Sequence, residues 1–261
     1  MKLKLTIFLT AFLMISAGHV FAQKPEPKPA AKAPEAKPSP AVKLPTVKEI
    51  LDKYLQAVGG REANEKIQTR SMKGTVELAP MGIKGTAEVF QSAPDKNYSK
   101  ITLNGIGEII EAYDGKVAWT INPIQGNRDK TGDELLQTKI AANFHRETNF
   151  EKLYPKMEVK GIEKIGDKEA YAVIATPAGL EPQTLYFDRQ SGLLLREDAT
   201  MVSPEGKIPV KSFYEDYREI DGVKIPYKVR AVLPQFEITT IVTEVKNSVK
   251  IDENLFSKPR P

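Results

Sequence analysis

The stretch IGEIIEAYDGKVAWTINP, residues 106–123, decides how this chain is read. Apolar and polar residues alternate on either side of Asp114-Gly115, a pair that accepts positive φ and favours a two-residue hairpin turn. With that turn Ala112 faces Val117, Ile110 faces Trp119 and Glu108 faces Ile121. Ile106, Ile110, Ala112, Val117, Trp119 and Ile121 then share one face; Glu111, Lys116 and Thr120 lie on the other, beside Tyr113 and Ile109. A half-buried antiparallel sheet requires that asymmetry.

Outward from the hairpin the period of two persists. Residues 69–78, 83–91 and 97–104 alternate in the same way, with turns at Ala79-Pro-Met-Gly82 and Ala93-Pro-Asp-Lys96, which predicts a meander of about five strands. Residues 122–155 interrupt it. Thr131-Gly-Asp-Glu134 and Thr148-Asn-Phe-Glu151 have the spacing of capping boxes. The first is expected to open a helix carrying Leu135, Leu136, Ile140 and Phe144 on one face, and the second a short turn ended by Pro155. Strands resume at 156–165, 169–176, 183–188, 193–201, 208–220, 223–233 and 236–249, and Pro226 inside one of them predicts an edge or a bulge. Before the meander, Thr46-Val-Lys-Glu49 is a third capping box. Val47, Ile50, Leu51, Tyr54, Leu55 and Val58 follow at helical spacing until Gly59-Gly60. A short second helix is expected at about 61–67.

These readings give an α+β domain over residues 46–261. One antiparallel sheet of about eleven or twelve strands is strongly curved, with helices on its concave face, because a sheet that long must curl or close. If the helices leave the concavity unfilled, an apolar cavity of the kind that binds small molecules remains. Phe90, Tyr98, Trp119, Tyr171, Tyr186, Phe187, Phe213, Tyr214, Tyr227 and Phe236, spread one or two per strand, suit either core or cavity wall.

The N-terminal residues read as address and spacer. Lys2 and Lys4 precede an apolar run from Leu5 to about Ala17, and Val20-Phe-Ala22 offers compact residues for cleavage, so residues 1–22 are expected to be a secretory signal peptide. The apolar run is shorter than the ~20 residues of a membrane span. Residues 23–45 hold seven of the 19 prolines and almost no large apolar side chain, the composition of an extended disordered linker. With no cysteine, an exported domain has neither a lipid-anchored cysteine nor disulfides and depends on its core. The whole chain carries 38 basic and 34 acidic residues, but leader and linker take seven of the lysines and only two glutamates. The domain is left near neutral, which argues against a nucleic-acid partner.

Nothing in the pattern reads as catalytic. His145 is the one histidine after the leader, at an expected helix end where a solvated or capping role is usual, and without cysteine a zinc site is not expected. Residues 129–134 lack the alternating oxygens and closing glutamate of a calcium loop. No nucleophile elbow or phosphate-binding glycine loop occurs. The expectation is a non-enzymatic protein with no cofactor and no metal.

Tyr186-Phe-Asp-Arg-Gln-Ser-Gly-Leu-Leu194 and Asp216-Tyr-Arg-Glu-Ile-Asp-Gly-Val-Lys-Ile-Pro226, set in this order of signal peptide, helix, meander, helical insert and second meander, resemble hairpin phrases of the LolA/LppX-type periplasmic lipoprotein carriers and the broader LolA-like outer membrane lipoprotein-sorting family. The resemblance covers residues 46–258. It implies an eleven-stranded half-barrel whose helices lid an apolar cavity holding lipid or lipoprotein acyl chains, in an exported, periplasmic protein with possible envelope membrane contact. The alternative is an envelope-tethered module that binds another apolar ligand or a protein partner. The ligand is expected between the 47–58 helix (Leu51, Tyr54), the 135–144 helix (Leu136, Ile140, Phe144) and the hairpin face carrying Ile106, Ile110, Trp119 and Ile121. Glu108, set by register among these apolar residues, reads as a solvated rim residue, as a polar contact inside the cavity or, last of the three, as a catalytic acid.

Overall fold

The computed structural model describes residues 43–259; the leader and most of the linker lie outside the described residues. The first meander comprises β1 (Thr69–Ala79), β2 (Ile83–Ser92), β3 (Lys96–Leu103), β4 (Gly107–Tyr113) and β5 (Ala118–Ile121), followed by a two-residue β6 (Arg128–Asp129). The second comprises β7 (Lys156–Ile165), β8 (Lys168–Thr176), β9 (Gln183–Asp188), β10 (Leu194–Ser203), β11 (Gly206–Ile220), β12 (Val223–Val232) and β13 (Glu237–Asn247). Helices α1 (Val47–Ala57) and α2 (Gly60–Lys66) precede the first meander; α3 (Gly132–Ala141) and α4 (Phe150–Leu153) lie between the two. Because β1 pairs with β13, the meanders fuse into one sheet of 13 strands, ordered β6-β5-β4-β3-β2-β1-β13-β12-β11-β10-β9-β8-β7. The expected count of about eleven is thus corrected to 13. The sheet does not close: β6 and β7 are its edges.

The hairpin forms, but not with the expected turn. Asp114 Oδ1 accepts from the N–H groups of Lys116 (2.8 Å) and Val117 (2.7 Å), and Asp114 N–H donates to Val117 O at 3.2 Å. Residues 114–117 are therefore loop, Ala112 pairs with Trp119 and Ile110 with Ile121. The register is displaced by two residues, an even number, so the faces of the paired residues survive while Val117 leaves the strand and is exposed.

Thr46 makes its capping box, accepting from Glu49 N–H while the Glu49 carboxylate accepts from Thr46 N–H. The other two boxes do not form. Glu134 is taken by Arg128 in a bidentate pair at 2.6 and 2.9 Å, and Thr148 donates to His145 O, leaving Asn149 as the N-cap of α4. Pro226 lies where β12 lacks a partner on its β13 side, since that pairing begins at Lys228.

Packing defines two faces. On the inner one, Ile50, Leu51 and Tyr54 of α1, with Val58 at its C-cap, meet Phe150, Tyr154, Val173, Leu185, Phe187 and Leu194. Val58 O accepts from Lys224 N–H at 3.0 Å. The adjoining Gly59, at φ 112°, passes so close to the β11–β12 turn that a Cβ would stand 2.1 Å from Gly222 O. The turn 188–192 docks on α1 from below: Asp188 accepts from Gln190 N–H (2.9 Å) and Ser191 Oγ (2.7 Å), while Lys53 Nζ donates to Arg189 O at 2.6 Å.

α3 fixes the curvature. Its Leu135, with Ala142 just beyond its end, packs on Tyr113 of β4 and Ala118 of β5, while its Gln137 bonds to β10. β4 and β10 are seven places apart in the sheet, about 34 Å if the sheet were flat. A ten-residue helix is about 15 Å long. Only a sheet curled around α3 brings both within its reach. The helices do not cover the whole inner face, however. The cluster of Val76, Ala87 and Leu103 with Leu78, Ile101 and Ile238 contains no helix residue.

Two outcomes test this packing. Phe256, fully buried on the outer face, is expected to cost about 3–5 kcal/mol when truncated to alanine, read from urea unfolding, with red-shifted emission from Trp119; an unchanged midpoint would contradict it. Burial raises the Asp188 carboxyl, but the Gln190 N–H, the Ser191 hydroxyl and Lys168 outweigh it and hold the group below its ordinary value. A depressed carboxyl stabilises above its unfolded pKa of ~3.9 and loses that contribution as pH falls through the folded value. Asp188→Asn should therefore cost about 1–3 kcal/mol at neutral pH, and the difference from the parent protein should shrink in acid; a pH-independent difference would refute the assignment.

Candidate functional site

β10 outruns its neighbour. Its pairing with β9 stops at Asp198, while its pairing with β11 continues to Ser203, so residues 199–203 have an open edge. Buried backbone groups need partners, and Gln137 of α3 supplies them: its Oε1 accepts from Val202 N–H at 2.9 Å and its Nε2 donates to Thr200 O. This amide stands in for the missing strand and suspends α3 over the inner face.

Between α3 and the sheet lies a cavity of about 240 Å³. Side chains alternate along a strand, so β10 presents Glu197, Ala199 and Met201 to it in succession, and β11 presents Ser212 and Val210 opposite. The walls are apolar: Ile140 and Ala141 from α3, Ala199, Met201, Val210 and Leu180. At the mouth Lys207 Nζ lies 2.8 Å from Glu181 and 3.9 Å from Asp133, all three about half exposed.

The floor is polar, and its side chains bond to one another. Arg146 Nη2 donates to Glu197 Oε2 at 2.8 Å and to Tyr154 Oη at 3.0 Å. Gln183 Nε2 donates to Glu197 Oε1 at 3.1 Å and to Tyr154 Oη at 3.0 Å, and Tyr214 Oη donates to Glu197 Oε2 at 3.2 Å. The Arg146 and Glu197 side chains are 23% and 15% exposed. Burial works against the Arg146 charge, yet the neighbouring Glu197 carboxylate holds the guanidinium well above its ordinary value. Burial, reinforced by Glu197, pushes the Tyr214 hydroxyl well above the usual phenol range, and burial raises that of Tyr154. At neutral pH the arginine is cationic and both phenols keep their protons. Apart from Arg146 Nε, which is buried without a partner, these side chains are tied to one another, which makes the floor a rigid support.

The structure divides the ten expected site residues. Ile140 lines this cavity. Leu51 and Tyr54 are buried in the core under α1. Leu136 points to the β8–β9 connection, its Cδ1 being the nearest side-chain atom to Gly179. Phe144 lies beyond the end of α3, against Ile67 and Val223. Ile106 belongs to the inner cluster of β1–β4. Ile110, Trp119 and Ile121 are on the outer face, which corrects the expectation that they face the helices. Tyr113 and Ala118, their alternates along the strands, meet α3, whereas Trp119 is covered by the C-terminal segment around Ile251, Leu255 and Phe256. Trp119 is 2% exposed and its Nε1 donates to Phe256 O at 2.9 Å. Glu108 is exposed, 3.8 Å from Lys100, and takes the solvated role. His145 is half-buried, its Nε2 2.9 Å from Ile67 O. Arg146, Glu197, Gln137 and Gln183 were missed because the run Arg196-Glu-Asp198 reads as a solvated strand until pairing shows that Glu197 alone faces inward.

No family model matches the chain, and no curated protein matches it. Solved structures do. A DUF1329 family protein from Desulfovibrio piger superposes with a TM-score of 0.55 at 14% identity, over 81% of this chain and 97% of that one. A LolA superfamily protein from Nitrosomonas europaea gives 0.55 at 15%, over 82% and 99%. A domain described as an outer membrane lipoprotein-sorting protein, from Vibrio parahaemolyticus, gives 0.51 at 10%, over 80% and 96%. At such identities the likeness is one of fold, and it agrees with the turn phrases at 186–194 and 216–226: this chain has a LolA-like fold.

Proposed function

We propose that this protein is an exported, non-enzymatic carrier that holds a single acyl chain in the cavity between α3 and the β10–β11 face. The observation that carries the reading is an apolar-walled cavity whose ionisable groups are all committed to one another, leaving hydrophobic burial as the means of holding a ligand. Its volume bounds the ligand. About 240 Å³ exceeds the ~150 Å³ that admits a benzene-sized guest and falls short of the ~300–1,000 Å³ of drug-sized sites. One chain or part of one fits, and several chains side by side do not. A periplasmic destination rests on the leader at residues 1–22, and the lysine-bearing tract at 23–45 serves as spacer. Among the described residues no helix is long and apolar enough to cross a membrane.

The test is titration of the purified protein with a dansyl-labelled fatty acid. Ala199→Leu extends the cavity wall into the space the chain would occupy, and is expected to weaken binding about tenfold or more, roughly 1.4 kcal/mol, while the melting temperature changes little. Probe binding that is absent in the parent protein, or unchanged in Ala199→Leu, would sink the reading. A brominated acyl chain, which quenches only at contact, should leave the emission of Trp119, on the far face, unchanged.

A further inference from the structure

The turns of an antiparallel meander alternate between its two ends. One end of this sheet therefore carries the connections β1–β2, β3–β4, β5–β6, β8–β9, β10–β11 and β12–β13. The cavity opens at that end, where Glu181 of the β8–β9 connection and Lys207 at the start of β11 approach Asp133. On the same rim three large apolar side chains stand in solvent: Met81 is 51% exposed, Ile124 68% and Met201 40%. Ile124 is held there by its turn. Asn122 Oδ1 accepts from the N–H groups of Ile124 (2.8 Å) and Gln125 (3.1 Å), and Gly126 N–H donates to Asn122 O at 2.8 Å. Gln125 Nε2 then reaches Glu205 at 3.0 Å, tying the β5–β6 connection to the β10–β11 turn across the opening.

We propose that this rim docks on a lipid bilayer, from which the cavity takes or to which it returns its acyl chain; the proposal rests on the reading of the cavity as an acyl-chain site. Two features select a lipid surface over a protein partner. Met81 and Ile124 stand on turns several strands apart, which suits separate insertion into a membrane interface and lacks the contiguous centre of a protein hot spot. The cavity mouth shares the rim, so a chain passes between bilayer and cavity without exposure to bulk water. The rim's charges select the kind of lipid. Those around the opening are paired with one another, Lys207 with Glu181 and Asp133, Arg230 with Glu237 and Arg128 with Glu134, so no basic cluster calls for an anionic surface and a neutral, zwitterionic bilayer suffices.

Flotation of the full-length mature chain with phosphatidylcholine vesicles tests this, at salt high enough to screen the lysines of the linker. The parent protein is expected to float with the vesicles. Met81→Asp/Ile124→Asp should reduce the bound fraction by about tenfold or more, and Val117→Asp, at the opposite end of the sheet, should bind as the parent does. All three should bind the dansyl-labelled fatty acid equally well in solution, which separates a failed rim from a failed cavity. A parent protein that binds the probe but does not float, a double variant that floats as well as the parent, or flotation that requires anionic phosphatidylglycerol would each overturn the proposal.

Discussion

The structure depends on one short helix touching two distant parts of the same sheet. α3 is pinned to β6 through Arg128–Glu134, to β4 and β5 through Leu135 on Tyr113 and Ala118, and to β10 through the Gln137 amide. A flat sheet cannot satisfy all three, so these contacts and the curl of the sheet are one constraint. No residue of α3 is itself fully buried. The helix is held by directional bonds and a few side contacts rather than by a deep apolar stripe, and elements of that kind open at lower cost than core strands.

That mode of attachment also explains the cavity. A strongly amphipathic helix would sink its apolar face into the sheet and fill the concavity, as α1 does over Val173, Leu185 and Phe187. α3 is suspended instead, and the space beneath it is lined by the small or flexible side chains of Ala141, Ala199, Val210 and Met201. The floor cannot collapse into that space, because Arg146, Glu197, Gln183, Tyr154 and Tyr214 are bonded to one another. Truncating one member would leave a partly buried charge or donor unpaired, which costs more than the intact network contributes.

The strands were legible because period-two alternation is a local signal, and every predicted strand from 69–78 to 236–249 appears. β6 was not, since Arg128-Asp129 is too short to show a period. The turn phrase at 186–194 was legible in the same local sense: Asp188, Ser191 and Gly192 make a self-contained turn. The site was not. Leu135, Leu136, Ile140 and Phe144 read as one stripe, yet α3 is gripped from several sides and ends before Phe144, so these residues scatter among different neighbours. The hairpin face of Ile110 and Trp119 was placed against the helices because it is the most apolar. Its cover comes instead from residues 251–256, more than a hundred positions away, and alternation identifies an apolar face without saying what lies on it.

The account stands or falls on the contents of the cavity in the protein as its own cell makes it. Native mass spectrometry of the chain purified from its host, under conditions that preserve non-covalent complexes, measures that directly. The account predicts a single-chain amphiphile bound one to one and lost on denaturation. A protein that carries no lipid and takes up none when offered, or one that retains a cargo of several acyl chains, would contradict it.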